Sequence, residues 1–441
     1  MTGMSMPQGA AVSIGAVLGT GVIALPALAA QAAGPASLLA WAGLVVLSIP
    51  LAVTFATLGA RYPDSGGVST YVREAFGPRA AAACGWCFCF AVPAGAPAAA
   101  MFGGGYVAAE IGGGMHTTLI TAALLIIAVT GMNLGGLRIS GRIQLGLAGL
   151  LMTLLLAATL TALPHAHLRN LHPFAPHGWL AIAPAAAVLV WGFAGWEAIT
   201  SLAADFRHPA RDLPRATAVA LVVVSVLYLG VATTSVAVLG PAAGTTQAPL
   251  AALLAVGTGA NARLIAAVAA ILLTLGTMNA YFAAAAKTGA ALGRDGALPA
   301  WLARGSAAGQ VPRRSLMVLA GMSGLALLIV ATTGASARQA ALVTTGSFVL
   351  VYIAGTAAAV RLLPRRSWPR RAAIAALAAV IVLLLVTGVY ALWAVLVVLA
   401  ALVYQRRRAS QLAAEISLGE REPPSAYPGS SRQACAAPTA T

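Results

Sequence analysis

The sequence predicts an all-α polytopic membrane protein whose first and sixth helices are interrupted within the bilayer. Three observations carry that expectation. Of 441 residues, 60% are hydrophobic and only 8% charged, against roughly 25% charged in an average soluble domain. Apolar stretches of about 20 residues, the length that crosses a hydrocarbon core about 30 Å thick, recur along almost the whole chain. A closed barrel would show alternating segments of about 10 residues instead. Finally, two of these stretches, GAVLGTGVIALPALAA at 15–30 and AVLVWGFAGWEAITSLAADF at 187–206, carry glycine clusters that a space-filling helix would avoid. Each glycine costs about 1 kcal/mol relative to alanine in a helix interior, and proline about 3.

Taken in order, the spans fall at 9–33, 37–60, 81–109, 117–134, 143–163, 180–204, 214–239, 262–286, 315–333, 340–362, 372–388 and 390–404. The last two are read as a hairpin turning near Gly388, because 33 residues at about 1.5 Å each would overshoot the bilayer as one helix. Charge supports the count. One side collects Arg61, Arg73 and Arg79, then Arg138 and Arg142, Arg207, Arg211 and Arg215, Lys287 through Arg314, Arg361 through Arg371, and Arg406 to Arg408. The other receives Arg169, Arg263 and Arg338. By the positive-inside rule both termini are expected in the cytoplasm. No cleavable signal peptide is expected, since nothing positive precedes the first span. Residues 1–405 thus form one transmembrane domain, and 406–441, polar and rich in Pro, Ser and Ala, a disordered cytoplasmic tail.

The net charge of +16 does not point to nucleic acid, because the basic residues sit between apolar spans rather than on a polar domain. Cys84, Cys87 and Cys89 lie in apolar surroundings with no histidine or carboxylate nearby in sequence, so neither a metal site nor a disulfide framework is expected. His165, His167, His172 and His177 belong to an outer loop and are read as solvated. No HExxH pair, intramembrane aspartate pair or nucleotide-binding glycine loop supports the rival class, a membrane-embedded enzyme, and no cofactor is expected.

The interrupted spans are five helices apart, the pattern of an inverted-repeat transporter whose irregular backbone lines a central cavity. Two halves are expected at about 9–163 and 180–362, with extra helices at 372–404. The connections RYPDSGGVSTYVREAFGPRA and GPAAGTTQAPLAALLAVGTGANAR have similar length and fall on opposite faces, as inversion requires. At a break, backbone N–H groups opening one half-helix and C=O groups closing the other lose their intrahelical partners. The first suit a carboxylate and the second an ammonium, so two broken helices together recognise a zwitterion without charged side chains. Gly19, Thr20 and Gly21 would then bare donors in the first span; the bland alternative is that such glycines only permit close helix packing. Glu197 lies at bilayer depth, where a carboxylate is expensive unless it faces a polar interior or a partner.

GTGVIALPALAA, YPDSGGV, WGFAGWEA followed by DFRHPARDLPRA, and LGRDGALP resemble the amino acid-polyamine-organocation superfamily over roughly residues 8–405. PAGAPAA, Pro93 to Ala99, is similar to its bacterial exporters of L-methionine and branched-chain amino acids. The resemblance implies a LeuT-like five-plus-five inverted repeat with two additional helices, working by alternating access in the bacterial inner membrane. It implies that Gly19, Thr20 and Gly21 form the carboxylate-binding turn, that the Val17 and Ala194 carbonyls receive the substrate amino group beside Gly195, and that Trp191 closes over the substrate. It also implies that Glu197 takes part in proton-linked conformational change, the alternative being a carboxyl that pins the broken helix. Two departures bear on the coupling ion. No basic residue lies between Arg142 and Arg169, where several members place a lysine, and Thr274, Thr277 and Asn279 include no adjacent hydroxyl pair of the kind sodium sites use. Protons are therefore the expected coupling ion. Apart from Glu197, only Glu110 is acidic well inside a span, so an apolar substrate side chain is expected. Direction is not legible in the residues, and an importer or exchanger of the same fold is the alternative.

Overall fold

The computed structural model describes residues 4–63, 67–136, 141–197, 203, 206–259, 262–305 and 310–419. Among these residues the chain is helical throughout, apart from short turns and one bridge between Met4 and Phe206. The first predicted span is two helices, α1 (Met6–Val17) and α2 (Gly21–Ala33), separated at Leu18, Gly19 and Thr20. Pro26 lies inside α2 and not at the break. There follow α3 (Ser37–Arg61), the short α4 (Val68–Phe76), α5 (Pro78–Ile111), α6 (Gly114–Leu134) and α7 (Gly141–Ala162). A run of 3-10 turns leads to α8 (Ile182–Phe193). The predicted sixth span is therefore helical only to Phe193 and turns through Ala194 to Glu197; residues 198–202, 204 and 205 lie outside the described residues. Then come α9 (Pro209–Leu239), the short α10 (Pro249–Thr258), α11 (Ala262–Arg294), α12 (Arg313–Thr333), α13 (Ala337–Leu362), α14 (Trp368–Thr387) and α15 (Ala391–Gly419).

Nine stretches of the described residues are helical, long and apolar enough to cross a membrane. Two of them, Gly21–Arg61 and Trp368–Gln411, contain turns, at Gly34–Ala36 and at Gly388–Tyr390. After the second turn the chain returns to the end it came from. Arg370, opening α14, donates to the Val360 carbonyl near the end of α13, while Gln405 of α15 donates to the Arg79 carbonyl at the start of α5. Arg361 lies over the Phe76 ring, and Arg73 pairs with Asp295 at 3.9 Å, so many of the arginines assigned to one side do gather on one face of the molecule. α15 runs on to Gly419, through the first part of the segment expected to be a disordered tail from residue 406; residues 420–441 lie outside the described residues. Its segment RRRASQLAAEISL is made mostly of strong helix formers.

Small residues fill much of the core, around buried anchors such as Trp41, Tyr228 and Phe282. In α5, the most enclosed of the long helices, Ala, Gly and Pro dominate PAGAPAAAMFGGGY, and this lets backbones approach closely. A methyl group on Gly104 would sit 2.6 Å from the Thr118 carbonyl of α6. Many other bulky aliphatics face outward: Ile127 is 66% exposed, Leu160 63% and Leu385 75%, as a lipid-facing surface requires.

Polar glue joins the helices where the core is not apolar. Asn133 of α6 donates to Asn279 Oδ1 of α11 at 2.7 Å, and both are buried. Replacing Asn279 by Leu leaves the Asn133 amide with a lost partner and is expected to destabilise the fold by about 1 kcal/mol. The double variant Asn133→Leu/Asn279→Leu should recover part of that loss in equilibrium unfolding in detergent; strictly additive losses would contradict the pairing.

Candidate functional site

The breaks in α1/α2 and after α8 lie side by side and form one wall of a small pocket of about 60 Å³. Val17, Gly19, Thr20 and Gly21 line it from the first break, and Trp191, Gly192 and Ala194 from the second. The opposite wall is apolar: Ala91, Val92, Gly95, Ala96 and Ala99 of α5, Met278 and Phe282 of α11, and Phe348 of α13, with Thr277, Tyr281 and Thr344 as its polar members. Trp191 packs edge-on to Phe102, with ring centroids 5.8 Å apart. The end of α1 carries carbonyls and the first turn of α2 carries N–H groups with no partner inside the helix, so opposite partial charges meet within a few residues beside the pocket.

The glycines divide by task. A methyl on Gly19 would meet only Thr277 Cγ2, at 3.8 Å, so this residue faces open space. A methyl on Gly21 would meet Trp191 Cδ1 at 2.7 Å and Gly192 Cα at 3.3 Å, and one on Gly192 would collide with Leu25. These two let the broken helices cross, so the packing role weighed against recognition is met at Gly21. Gly195 does not line the pocket. Its φ of +128° is a conformation that side chains disfavour, and a methyl there would lie 2.7 Å from the Ala16 carbonyl.

Glu197 also lies away from the small pocket. It lines a wide cavity of about 1270 Å³ that opens on the arginine-bearing face and shares Ala16, Thr277 and Tyr281 with the pocket. Its Oε2 accepts from the Gly195 N–H at 2.9 Å and from the Tyr352 hydroxyl of α13 at 2.6 Å. The same hydroxyl lies 3.2 Å from the Phe193 carbonyl, which closes α8.

Sequence reasoning missed the tyrosines. Besides Tyr352, the Tyr228 hydroxyl of α9 lies 2.7 Å from the Gly192 carbonyl and 3.0 Å from that of Val17. Tyr106 of α5 donates to the Ile23 carbonyl in the first turn of α2 at 2.6 Å and accepts from the Leu250 N–H, tying that half-helix to α10. The signal was available, since a phenol buried within an apolar span needs a hydrogen-bond partner, and a helix break is where a bilayer-embedded chain offers one. Among the described residues no group of three or more His, Cys, Asp or Glu could hold a metal ion.

The profile of the amino acid permease family matches residues 4–413. The chain belongs to the amino acid permease family. Members are transporters and not enzymes, and this permease is accordingly a multi-pass amino acid transporter. It is 33% identical over 366 residues to the uncharacterized amino acid permease YecA of Bacillus subtilis, covering 81% of this chain and 85% of that one. It is 36% identical over 238 residues to the L-methionine/branched-chain amino acid exporter YjeH of Escherichia coli, covering 52% and 56%, and 27% identical over 238 residues to the branched-chain amino acid permease BcaP of B. subtilis, covering 49% and 51%.

The packing at Gly195 gives a direct test of how the permease holds its second break. Gly195→Ala should lower the unfolding temperature in detergent by several degrees, from strain at a disfavoured φ and the clash with α1, each on the order of 1–3 kcal/mol. Gly19→Ala, with room for its methyl, should unfold like the wild type. Equal stability of the two variants would contradict the placement of Gly195 against α1.

Proposed function

We propose that this permease carries neutral, apolar amino acids such as L-methionine and the branched-chain amino acids by alternating access, exporting them across a bacterial inner membrane in exchange for protons. The observation that carries the substrate class is the lining of the pocket: no charged side chain stands among its described residues. A cationic or anionic side chain would be buried there without a countercharge, at a cost of several kcal/mol. The polar ends of the substrate are served by backbone instead, its carboxylate by Gly19, Thr20 and Gly21 and its ammonium by the carbonyls of Val17 and Ala194. Trp191 covers the ligand. The likeness to an exporter of L-methionine and branched-chain amino acids supports both the substrate class and the direction.

The fold we propose is a five-plus-five inverted repeat with α14 and α15 appended, twelve spans in all. Its support is the correspondence of neighbours. The short α4 packs on α5 and α13, while the short α10 packs on α11 and α7, and α1 packs on α9 as α8 packs on α3. Each contact maps onto its counterpart when helices five spans apart are exchanged. With the arginine-bearing face in the cytoplasm, both termini lie there and the wide cavity makes this an inward-facing state.

Glu197 is the proposed proton site. As a carboxylate it holds the Gly195 N–H and the Tyr352 hydroxyl together; once protonated it is the weaker acceptor, and the hydroxyl turns to the Phe193 carbonyl. The hold of α13 then passes from Glu197 to the end of α8. The same geometry makes Glu197 a pin for the unwound segment, and the proposal is that protons work by drawing that pin.

In proteoliposomes, labelled leucine or methionine should exchange against unlabelled substrate, with arginine and glutamate failing to compete; competition by either charged amino acid would contradict the apolar pocket. Glu197→Gln should retain this exchange and lose accumulation driven by a proton gradient. An undiminished gradient response in that variant would remove Glu197 from proton coupling.

A further inference from the structure

Val17 ends α1 with a carbonyl that the substrate ammonium is proposed to use, yet that oxygen is already occupied. It accepts from the Gly19 N–H at 2.8 Å and faces the Tyr228 hydroxyl at 3.0 Å, two donors for two lone pairs. The hydroxyl has a second acceptor closer still, the Gly192 carbonyl of α8 at 2.7 Å. One O–H proton is given to one oxygen at a time. The ring that carries it is held: Tyr228 is fully buried, with Trp41 edge-on at 5.3 Å and Phe193 edge-on at 5.2 Å. Rotation about the C–O bond alone moves the proton from one carbonyl to the other, with no displacement of the ring.

We infer that Tyr228 is a positioning residue for the substrate amino group, a stand-in donor that satisfies the Val17 carbonyl in the empty carrier and passes to Gly192 when an ammonium arrives. This rests on the amino acid-binding reading of the breaks. In the empty state the two helix ends, both of negative partial charge, take the one hydroxyl proton in turn, and Val17 keeps the Gly19 N–H beside it. In the loaded state the ammonium serves Val17 and the hydroxyl is confined to Gly192. Confining a proton that had two acceptors reduces the net contribution of the ammonium to affinity by about a factor of two. A carrier that must both bind and release gains from such a limit.

The test compares leucine with 4-methylpentanoate, the same skeleton without the amino group, by equilibrium binding to the purified full-length chain. In wild type, leucine should bind more tightly. In Tyr228→Phe, which keeps the ring between Trp41 and Phe193, the ratio of the two dissociation constants should rise about twofold, because the ammonium no longer confines a hydroxyl that in the empty carrier chooses between two carbonyls. Tyr228→Leu should shift the ratio the same way. Tyr106→Phe, which removes a hydroxyl from Ile23 instead, should leave the ratio at its wild-type value. A ratio unchanged or lowered in both Tyr228 variants overturns the inference while the amino acid reading survives. Wild-type protein that binds 4-methylpentanoate as tightly as leucine, or binds neither, overturns that reading and this inference with it.

Discussion

A peptide carbonyl in the hydrocarbon region has no water to turn to, and this constraint governs how the permease can break a helix there. At each break, C=O groups lose the N–H donors of a following turn and N–H groups lose their acceptors. The molecule answers with phenols and one carboxylate. Tyr228 serves Val17 and Gly192, Tyr352 serves Phe193 and Glu197, Tyr106 serves Ile23, and Glu197 accepts from the Gly195 N–H. Each hydroxyl comes from a helix outside the broken pair, so α9 and α13 are tied to the breaks by groups that the breaks release, and α5 to the half-helix that follows the first break.

Recognition follows from the same economy. Charged side chains able to bind a zwitterion would need partners whenever the site stood empty, whereas helix ends carry only partial charges and are satisfied by neutral hydroxyls. Apart from Thr277, Tyr281 and Thr344, the rest of the pocket is left to small and apolar residues. Ala91, Gly95, Ala96 and Ala99 keep one wall shallow, and Trp191, Phe282 and Phe348 supply the hydrocarbon surface that an apolar side chain fits. On the proposed reading, breaks, donors and apolar wall together make a site specific for the amino acid backbone and permissive toward an uncharged side chain.

Most of the architecture was legible because the bilayer imposes a length and a charge rule on every span. The break at Leu18 to Thr20, the helix end at Phe193 and the turn near Gly388 fall where glycine placement put them. Val17, Gly19, Thr20, Gly21, Trp191 and Ala194 do meet in one pocket. Gly195 was placed with them by the family resemblance, but a turn sends it against α1, while Glu197, expected to act in proton coupling, faces the wide cavity. A local motif cannot resolve which way a turn points its successive residues. The tyrosines escaped notice for a related reason: their role depends on acceptors 36 to 211 residues away, as with Tyr228 and Val17, and no spacing rule encodes that meeting. The late end of α15 reflects local helix propensity in a segment whose apolar residues are too few to mark it by hydropathy.

The claim beneath all of this is that exposed backbone at two adjacent breaks holds both ends of an amino acid. Its most direct test is an experimental structure of the full-length permease with bound leucine. The account predicts the carboxylate within hydrogen-bonding distance of the Thr20 and Gly21 N–H groups, the ammonium at the Val17 carbonyl, and the side chain between Trp191 and the alanines of α5. A ligand seated elsewhere, or α1 and α2 wound into one continuous helix in its presence, would contradict it.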